Sequence, residues 1–495
     1  MNCYIRFMFS TREQAVALRA DDACDLGILG GRTVWLWVIV VAGAVLRLIA
    51  LGYKSFWIDE IASVAISRRA SPTFWHFLWH DEGNMAAYYV LLRPWLHLGY
   101  AEGTVRLLSV IPGVAAIPLM YLLARRLFGG RVAITAALFL SLNACAIYVS
   151  QEARAYSFVV FSVLLSTYFF VVLIERPTYR SALVYAVVAG LSCYFHYFCV
   201  LAPAAHYVAL SAVSNVRRWW RPSLFAAVLI LLFSTPILWL MHTQDTGHIS
   251  WVQPTSWLEV YHLGAYLSAA SGKAVGGALL ALNLVLIAFF FDDFAHSLKS
   301  EETRWQYLLV ASLVITPIFL TVLVSIARPA FYHRFLIVCL PGWVLMTAKG
   351  ASTIRRKVWK VGATLAVCGL SLASTVILYH RATEDWRGAV RYLIAHAKPD
   401  DLVLYFQSVG EFAGDNYRDW LPGGTAARPA SIPINADGAW KQRIGNAPQV
   451  WLVLFRAKIS DPEVGKIQQA LEQRDFRLSF VSMYSGVTVM EFKNR

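Results

Sequence analysis

Thr33-Val-Trp-Leu-Trp-Val-Ile-Val-Val-Ala-Gly-Ala-Val-Leu-Arg-Leu-Ile-Ala-Leu-Gly52 is an apolar run broken by a single charge, Arg47, and soon after it the chain reads Phe56-Trp-Ile-Asp-Glu60. At roughly 1.5 Å per residue, about 20 apolar residues in a helix span the hydrocarbon core of a bilayer. Asp59 and Glu60 thus lie beside a membrane surface, where an ionised carboxylate is costly and needs a reason. One reason is structural: Asp59 caps a helix over Ile61 to Arg69 by accepting its free backbone N–H groups. The other is chemistry at the membrane face.

The rest of the chain repeats the apolar pattern. Its 495 residues are 58% hydrophobic and 15% charged, with a mean hydropathy of +0.53. This excludes an ordinary soluble globular protein. About eleven spans are expected, at 33–52, 106–126, 131–150, 156–174, 182–195, 198–214, 222–241, 274–292, 306–327, 332–350 and 358–379. The net charge of +14 does not mark a nucleic-acid binder, because its arginines and lysines sit in alternate short loops: Arg125, Arg126 and Arg131; Arg176 and Arg180; Arg217, Arg218 and Arg221; Lys349, Arg355, Arg356, Lys357 and Lys360. Such alternation is the positive-inside pattern. It puts the N-terminus in the cytoplasm, and the Asp59 loop and the tail from about residue 381 outside.

Residues 1–32 are mixed polar, with no apolar core before a small-residue cleavage site, and read as a cytoplasmic leader. Of seven cysteines, Cys3 and Cys24 lie in that leader, and Cys145, Cys193, Cys199, Cys339 and Cys368 lie in or beside apolar runs. Neither a disulfide framework nor zinc-type spacing is expected.

The outer loop 53–105 is too polar to cross the membrane and too aromatic for a linker. Its segments Phe74-Trp-His-Phe-Leu-Trp-His and Tyr88-Tyr-Val-Leu-Leu-Arg-Pro-Trp read as interfacial helices anchored by Trp75, Trp79, Tyr88 and Trp95. A second long connection, 242–273, has the length of a lid. From 381 to 495 the pattern is that of a soluble α/β domain, with a helix from Asp385, strands Leu402–Phe406 and Val450–Phe455, and a helix over Glu463 to Arg474. Gly423-Gly424 follows Pro422 and reads as a turn, not a phosphate loop. The halves show no evident repeat, which disfavours many transporter folds.

On this topology one face collects Asp59, Glu60, Asp81, Glu82, Glu152, Arg154, His196, Tyr197, Arg328, Tyr332, His333 and Arg334, each within a few residues of a span end. Any one of them reads equally well as an interfacial anchor or half of an ion pair. Together, acids and bases from distant parts of the chain converge.

Four segments, in order, resemble the GT-C glycosyltransferases, in the bacterial branch related to dolichyl-phosphate-mannose protein mannosyltransferases and the lipid A aminoarabinose transferase. They are Phe56-Trp-Ile-Asp-Glu; Glu82-Gly-Asn-Met-Ala-Ala-Tyr-Tyr-Val-Leu-Leu-Arg; Tyr148-Val-Ser-Gln-Glu-Ala-Arg-Ala-Tyr; and His333-Arg-Phe-Leu-Ile-Val-Cys-Leu-Pro. The run Arg106-Leu-Leu-Ser-Val-Ile-Pro-Gly is similar to the family's second span, and Glu384-Asp-Trp-Arg to the start of the outer domain of many members. The resemblance implies a polytopic α-helical GT-C transmembrane catalytic domain over 33–380 and an extracytoplasmic α/β domain over 381–495.

It also implies a cell-membrane enzyme, a hexosyl- or pentosyltransferase. Such an enzyme passes a sugar, with inversion, from a polyprenyl-phosphate donor to a cell-envelope glycan, glycolipid or protein. Membrane lipids would be its other partners. An attacking hydroxyl must lose a proton, and Asp59 matches the family's catalytic acidic position. Glu60 shares no helix face with its neighbour and is expected to orient the loop or pair with an arginine. Arg154 and Arg334 match positively charged motif positions, with guanidinium geometry suited to a phosphate. His196, Tyr197, Tyr332 and His333 are further contacts. Some relatives bind a divalent metal at the position of Glu82, with a later histidine; here His242, His248 or His262 would be the partner. No certain cofactor is implied. Where many relatives have Pro-Pro before Leu-Tyr-Tyr, this chain has Met85-Ala86-Ala87 before Tyr88, which predicts a less rigid loop. The alternative reading is a transporter or flippase of lipid-linked sugars, which would also need many spans, a basic outer cleft and a lipid groove.

Overall fold

The computed structural model describes residues 33–243, 252, 254–269, 273–424, 429–434, 440–444 and 447–494. The expected leader and His248 lie outside them. All eleven apolar segments are helical, but not all are long. Among the described residues seven helices have the length and apolarity to cross a membrane: α5 (Glu102–Phe128), α8 (Tyr156–Glu175), α11 (Val216–Thr243), α13 (Lys273–Ser297), α14 (Arg304–Ser325), the stretch Phe335–Thr353 that ends in α15 (Leu340–Thr353), and α16 (Lys357–His380). An eighth forms if α6 (Gly130–Leu142) and α7 (Ala144–Ser150), bent by 55°, count as one span. The other three expected spans are short: α1 (Thr33–Leu48), α9 (Tyr179–Ser192) and α10 (Leu201–Leu210). Helix α1 stops before the sequence pattern does, because the chain turns through Ala50 in the left-handed region at φ 57°.

The bend between α6 and α7 has named causes. The Asn143 side chain accepts the Ala146 N–H at 2.8 Å and donates to Leu267 O at 2.9 Å, so it caps α7 and ties it to α12 (Trp257–Ala269). Arg47 reaches the same corner. It does not extend to the membrane edge as an unpaired residue near a span end would; it is fully buried. Its guanidinium donates to the carbonyls of Leu140 at 3.3 Å, Ser141 at 3.1 Å and Gly43 at 3.0 Å, and to Ser150 Oγ at 3.2 Å. A cation is therefore held on the unsatisfied C-terminal carbonyls of α6, where the helix dipole is negative. Space for it depends on Gly113, where a Cβ would come within 2.1 Å of Ser150 Oγ.

Helices α2 (Ile58–Arg68), α3 (Ser71–His80) and α4 (Ala86–Trp95) fill the loop between α1 and α5. Trp75 and Trp79 of α3 are 55% and 53% exposed, as interfacial anchors would be. Tyr88 is not an anchor: with Tyr89 it is buried in the core, because α4 lays this face against α2 and α5. Trp95 is half-buried and donates its indole N–H to Thr104 O at 2.8 Å. At the opposite extreme α11 exposes Leu231, Leu232 and Trp239, an apolar surface that lipid tails can solvate.

Beyond α16 comes a small mixed sheet. Its five strands, β1 (Leu402–Tyr405), β2 (Ala430–Pro433), β3 (Gln449–Phe455), β4 (Phe476–Tyr484) and β5 (Val487–Asn494), lie in the order β2-β1-β3-β5-β4. Strand β1 is parallel to β2 and β3, and the β3, β5, β4 side is antiparallel. The buried runs of β1 and β3 were legible as strands; the hairpin β4–β5 was not, because most of β4 is exposed and carries no run of core residues. Helix α17 (Trp386–His396) begins where Asp385 accepts the Gly388 N–H at 2.9 Å, and buries Trp386 against Phe455. Helix α18 (Ser408–Trp420) turns Tyr417 and Trp420 toward Phe56 in the first loop. The sheet unit therefore rests on the segment that carries Asp59.

Candidate active site

Helix α2 starts at Ile58, three residues earlier than expected, so Asp59 and Glu60 both lie in its first turn. Asp59 is not the cap. Glu60 accepts the Trp57 N–H at 3.3 Å and is buried, and its two oxygens take Arg106 Nε at 2.8 Å and Nη2 at 2.7 Å. The Ala153 N–H adds a bond to it at 2.8 Å. Arg106 spends its remaining donors on the carbonyls of Leu51, Lys54 and Ser55. Glu60 thus staples α2 to α5 and to the loop before α8, and its charge is fully engaged. Asp59, one residue earlier and half-buried, has no hydrogen bond or ion pair on its carboxylate among the described residues.

Around Asp59 stand two arginines in different states. Arg334 is buried, donates from Nη2 to Glu152 Oε2 at 2.6 Å, and lies over the rings of Trp57 and Tyr156, both at 4.9 Å. Burial pushes the Glu152 carboxyl up, and the Arg334 charge opposes this. Arg154 has no carboxylate partner among the described residues: Nη1 reaches only the hydroxyls of Ser63 at 3.4 Å and Tyr89 at 3.3 Å. Asp59, Tyr89, Tyr156 and Glu82 are its electrostatic neighbours.

Several buried donors here lack an acceptor among the described residues: Trp57 Nε1, Arg154 Nε, Arg334 Nε and His196 Nε2. His196 accepts the Phe198 N–H on Nδ1 at 3.2 Å, so its proton belongs on Nε2. Burial, with Arg154 nearby, holds its pKa down at about 3, and the ring is neutral. It lies 5.9 Å from the Tyr156 ring, which in turn carries Arg334 on its face. Unsatisfied N–H groups on Trp57, Arg334 and His196 thus share the surroundings of Tyr156 and Arg334, and Arg154 is an electrostatic neighbour of Asp59. Such groups need an acceptor, and a charged one suits a guanidinium best.

The other expected residues divide. Glu82 and Tyr197 lie on the Arg154 side, where the Tyr197 N–H donates to Asn84 Oδ1 at 3.2 Å. Tyr332 is half-buried beside His333, at 4.5 Å between rings, and within electrostatic reach of Asp59. Asp81, Arg328 and His242 are exposed. His262 does not join Glu82: its Nδ1 pairs with Glu259 Oε1 at 3.2 Å, and His333 Nδ1 lies 3.7 Å from Glu259 Oε2. Among the described residues no three His, Cys, Asp or Glu side chains converge as metal ligands. His248 lies outside the described residues, and no step below uses a metal.

Sequence reasoning passed over Lys54, whose ammonium donates to Leu378 O at 2.7 Å. Burial, then Arg106 and Arg381, bring its pKa down to about 8. Its place between the apolar run ending at Gly52 and the segment Phe56-Trp-Ile-Asp-Glu60 was the available signal. Glu259 had none.

Comparison with known proteins bears on the fold. Residues 85–239 match the family described as dolichyl-phosphate-mannose-protein mannosyltransferase. No curated protein matches the chain in sequence. Among solved structures, ArnT from Cupriavidus metallidurans bound to undecaprenyl phosphate superposes at a TM-score of 0.58 with 14% identity, over 93% of this chain and 98% of that one. The archaeal oligosaccharyltransferase AglB from Archaeoglobus fulgidus, in complex with an inhibitory peptide and a dolichol-phosphate, gives 0.50 with 12% identity, over 93% and 74%. At such identities the likeness is one of fold. The chain is a polytopic membrane protein with the fold of ArnT and a C-terminal sheet domain, and its segment 85–239 matches the model of the dolichyl-phosphate-mannose-protein mannosyltransferase family.

Proposed function

We propose that this protein transfers a sugar, with inversion at the anomeric carbon, from a polyprenyl-phosphate donor to an acceptor on the extracytoplasmic face of the cell membrane. The observation that carries this reading is the site's asymmetry among the described residues: a half-buried, untethered carboxylate at Asp59 and a set of buried N–H groups without acceptors, Arg154 Nε among them. Lipid phosphate is the anion that such donors would take, and ArnT bound to undecaprenyl phosphate and AglB with a dolichol-phosphate have the same fold.

Asp59 removes the proton of the acceptor hydroxyl as its oxygen attacks the anomeric carbon. The bond from that carbon to the phosphate oxygen breaks on the opposite face, and polyprenyl phosphate leaves with the electron pair. Arg154 receives the growing negative charge, with His196 Nε2–H near it and Trp57 Nε1–H beside Arg334 as neutral donors. Arg334, already neutralised by Glu152, positions Tyr156 and Trp57 and adds its Nε–H. The N-terminus is cytoplasmic on this reading, 33–380 is the catalytic domain, and 381–495 lies outside.

Purified protein in nanodiscs should bind undecaprenyl phosphate, and Arg154→Met should weaken that binding by about 10- to 100-fold, as expected for one charge-assisted phosphate contact worth roughly 1.5 to 3 kcal/mol. Equal affinity in Arg154→Met would reject the phosphate role.

A further inference from the structure

The first turn of α2 is held from outside the helical domain. The Ile58 N–H, next to Asp59, donates to Glu384 Oε2 at 2.9 Å. The other oxygen of Glu384 takes Arg456 Nε at 3.0 Å and Nη2 at 2.6 Å, and the Trp386 indole N–H lies 3.3 Å from Oε2. The Glu384 side chain is only 11% exposed. Two tight turns of the sheet domain close around it. Arg456 sits in the left-handed region at φ 51°, a strained place for a side-chain-bearing residue, and its N–H bonds to Gly486 O at 3.0 Å. Gly486 is itself at φ 70°, and a Cβ there would come within 3.4 Å of Glu384 Cγ.

Neighbouring contacts point the same way. The Phe56 N–H donates to Tyr417 OH at 3.3 Å, the Arg387 N–H to Ser55 Oγ at 3.0 Å, and the Arg387 guanidinium to the carbonyls of Gly52 and Tyr53. Of the three successive N–H groups at 56, 57 and 58, the sheet domain holds the first and the last.

We propose that Glu384, clamped by Arg456, is a positioning residue for Asp59, and that through it the sheet domain sets the aim of the catalytic base. The inference rests on the reading of Asp59 given above. A carboxylate on a first-turn N–H satisfies an otherwise orphan donor and opposes the positive end of the helix dipole. Without it the turn that carries Asp59 frays, and a base misplaced by about 1 Å loses about 100-fold in rate.

The test compares wild type, Glu384→Ala, Glu384→Gln and Arg456→Ala as full chains in nanodiscs. Hydrogen exchange at residues 52–60 and at strand β3 is followed beside turnover, read as undecaprenyl phosphate released when a total lipid-linked-sugar extract and a cell-envelope fraction of the source cells, as acceptor, are both supplied. In Glu384→Ala, exchange at 52–60 should rise by about 10-fold or more with β3 unchanged. Its kcat should fall about 10- to 100-fold at unchanged half-saturating extract concentration. Glu384→Gln keeps an acceptor for Ile58 and should recover part of the rate; Arg456→Ala should resemble Glu384→Ala more weakly. Unchanged exchange at 52–60 overturns the proposal. So does exchange that rises equally in β3, since the domain itself would then be failing. If Asp59→Asn keeps full turnover, the base assignment fails, while exchange at 52–60 still reads the clamp by itself.

Discussion

Residue by residue, the site separates charges that hold structure from charges left for chemistry. Glu60 and Arg106 belong to the first kind, and removing either partner leaves a buried charge alone. Glu60→Ala should destabilise the protein by about 3 to 5 kcal/mol, read as a large fall in unfolding temperature in detergent. That Glu60 would orient the loop or pair with an arginine was the expectation from its register against Asp59; which arginine was not legible, because the partner lies 46 positions away and only the fold brings them together. Lys54 gives a pH-dependent expectation. Its folded pKa of about 8 lies below the ordinary lysine value, so the unfolded chain binds more protons between about pH 8 and 10.5, and stability rises with pH across that window. Unfolding temperatures measured against pH should rise over that window in wild type relative to Lys54→Met; parallel curves would contradict the assignment.

At the scale of elements, periodicity located every long helix, because an apolar run of that length has few other fates. It could not find the corners. The bend at Asn143 depends on Arg47 and on the carbonyls of Leu267 and Ser268, all far away in sequence. The loop before α4 is a second case. Where the family's proline pair would stand, Met85 occupies the left-handed region at φ 64°, and the Ala87 N–H bonds to Tyr194 O at 2.9 Å. Proline fixes φ near −65°, so this chain follows a path that a proline at 85 forbids. The looseness expected from missing prolines is offset by that tie to Tyr194. Met85→Pro should therefore cost about 3 kcal/mol or more, as seen in the thermal unfolding midpoint, even though it restores the commoner pattern.

Across the whole molecule, the helical domain and the sheet domain share one surface, built from Phe56, Glu102, Tyr417, Trp420, Glu384 and Arg387. The sequence announced a separate soluble unit but gave no sign that it grips the Asp59 loop, since none of these pairings has local periodicity. A chain ending at His380 should accordingly lose turnover by about 10-fold or more, from a misdirected base, while still binding undecaprenyl phosphate; full turnover would make the sheet domain dispensable. The central claim is that Asp59 takes the acceptor's proton while Arg154 holds the donor phosphate. Its most direct test is the single-turnover rate of Asp59→Asn in nanodiscs with the total lipid-linked-sugar extract and a cell-envelope fraction as acceptor, alongside its affinity for undecaprenyl phosphate. The rate should fall by about 100- to 10,000-fold at unchanged affinity; a rate equal to wild type would contradict the account.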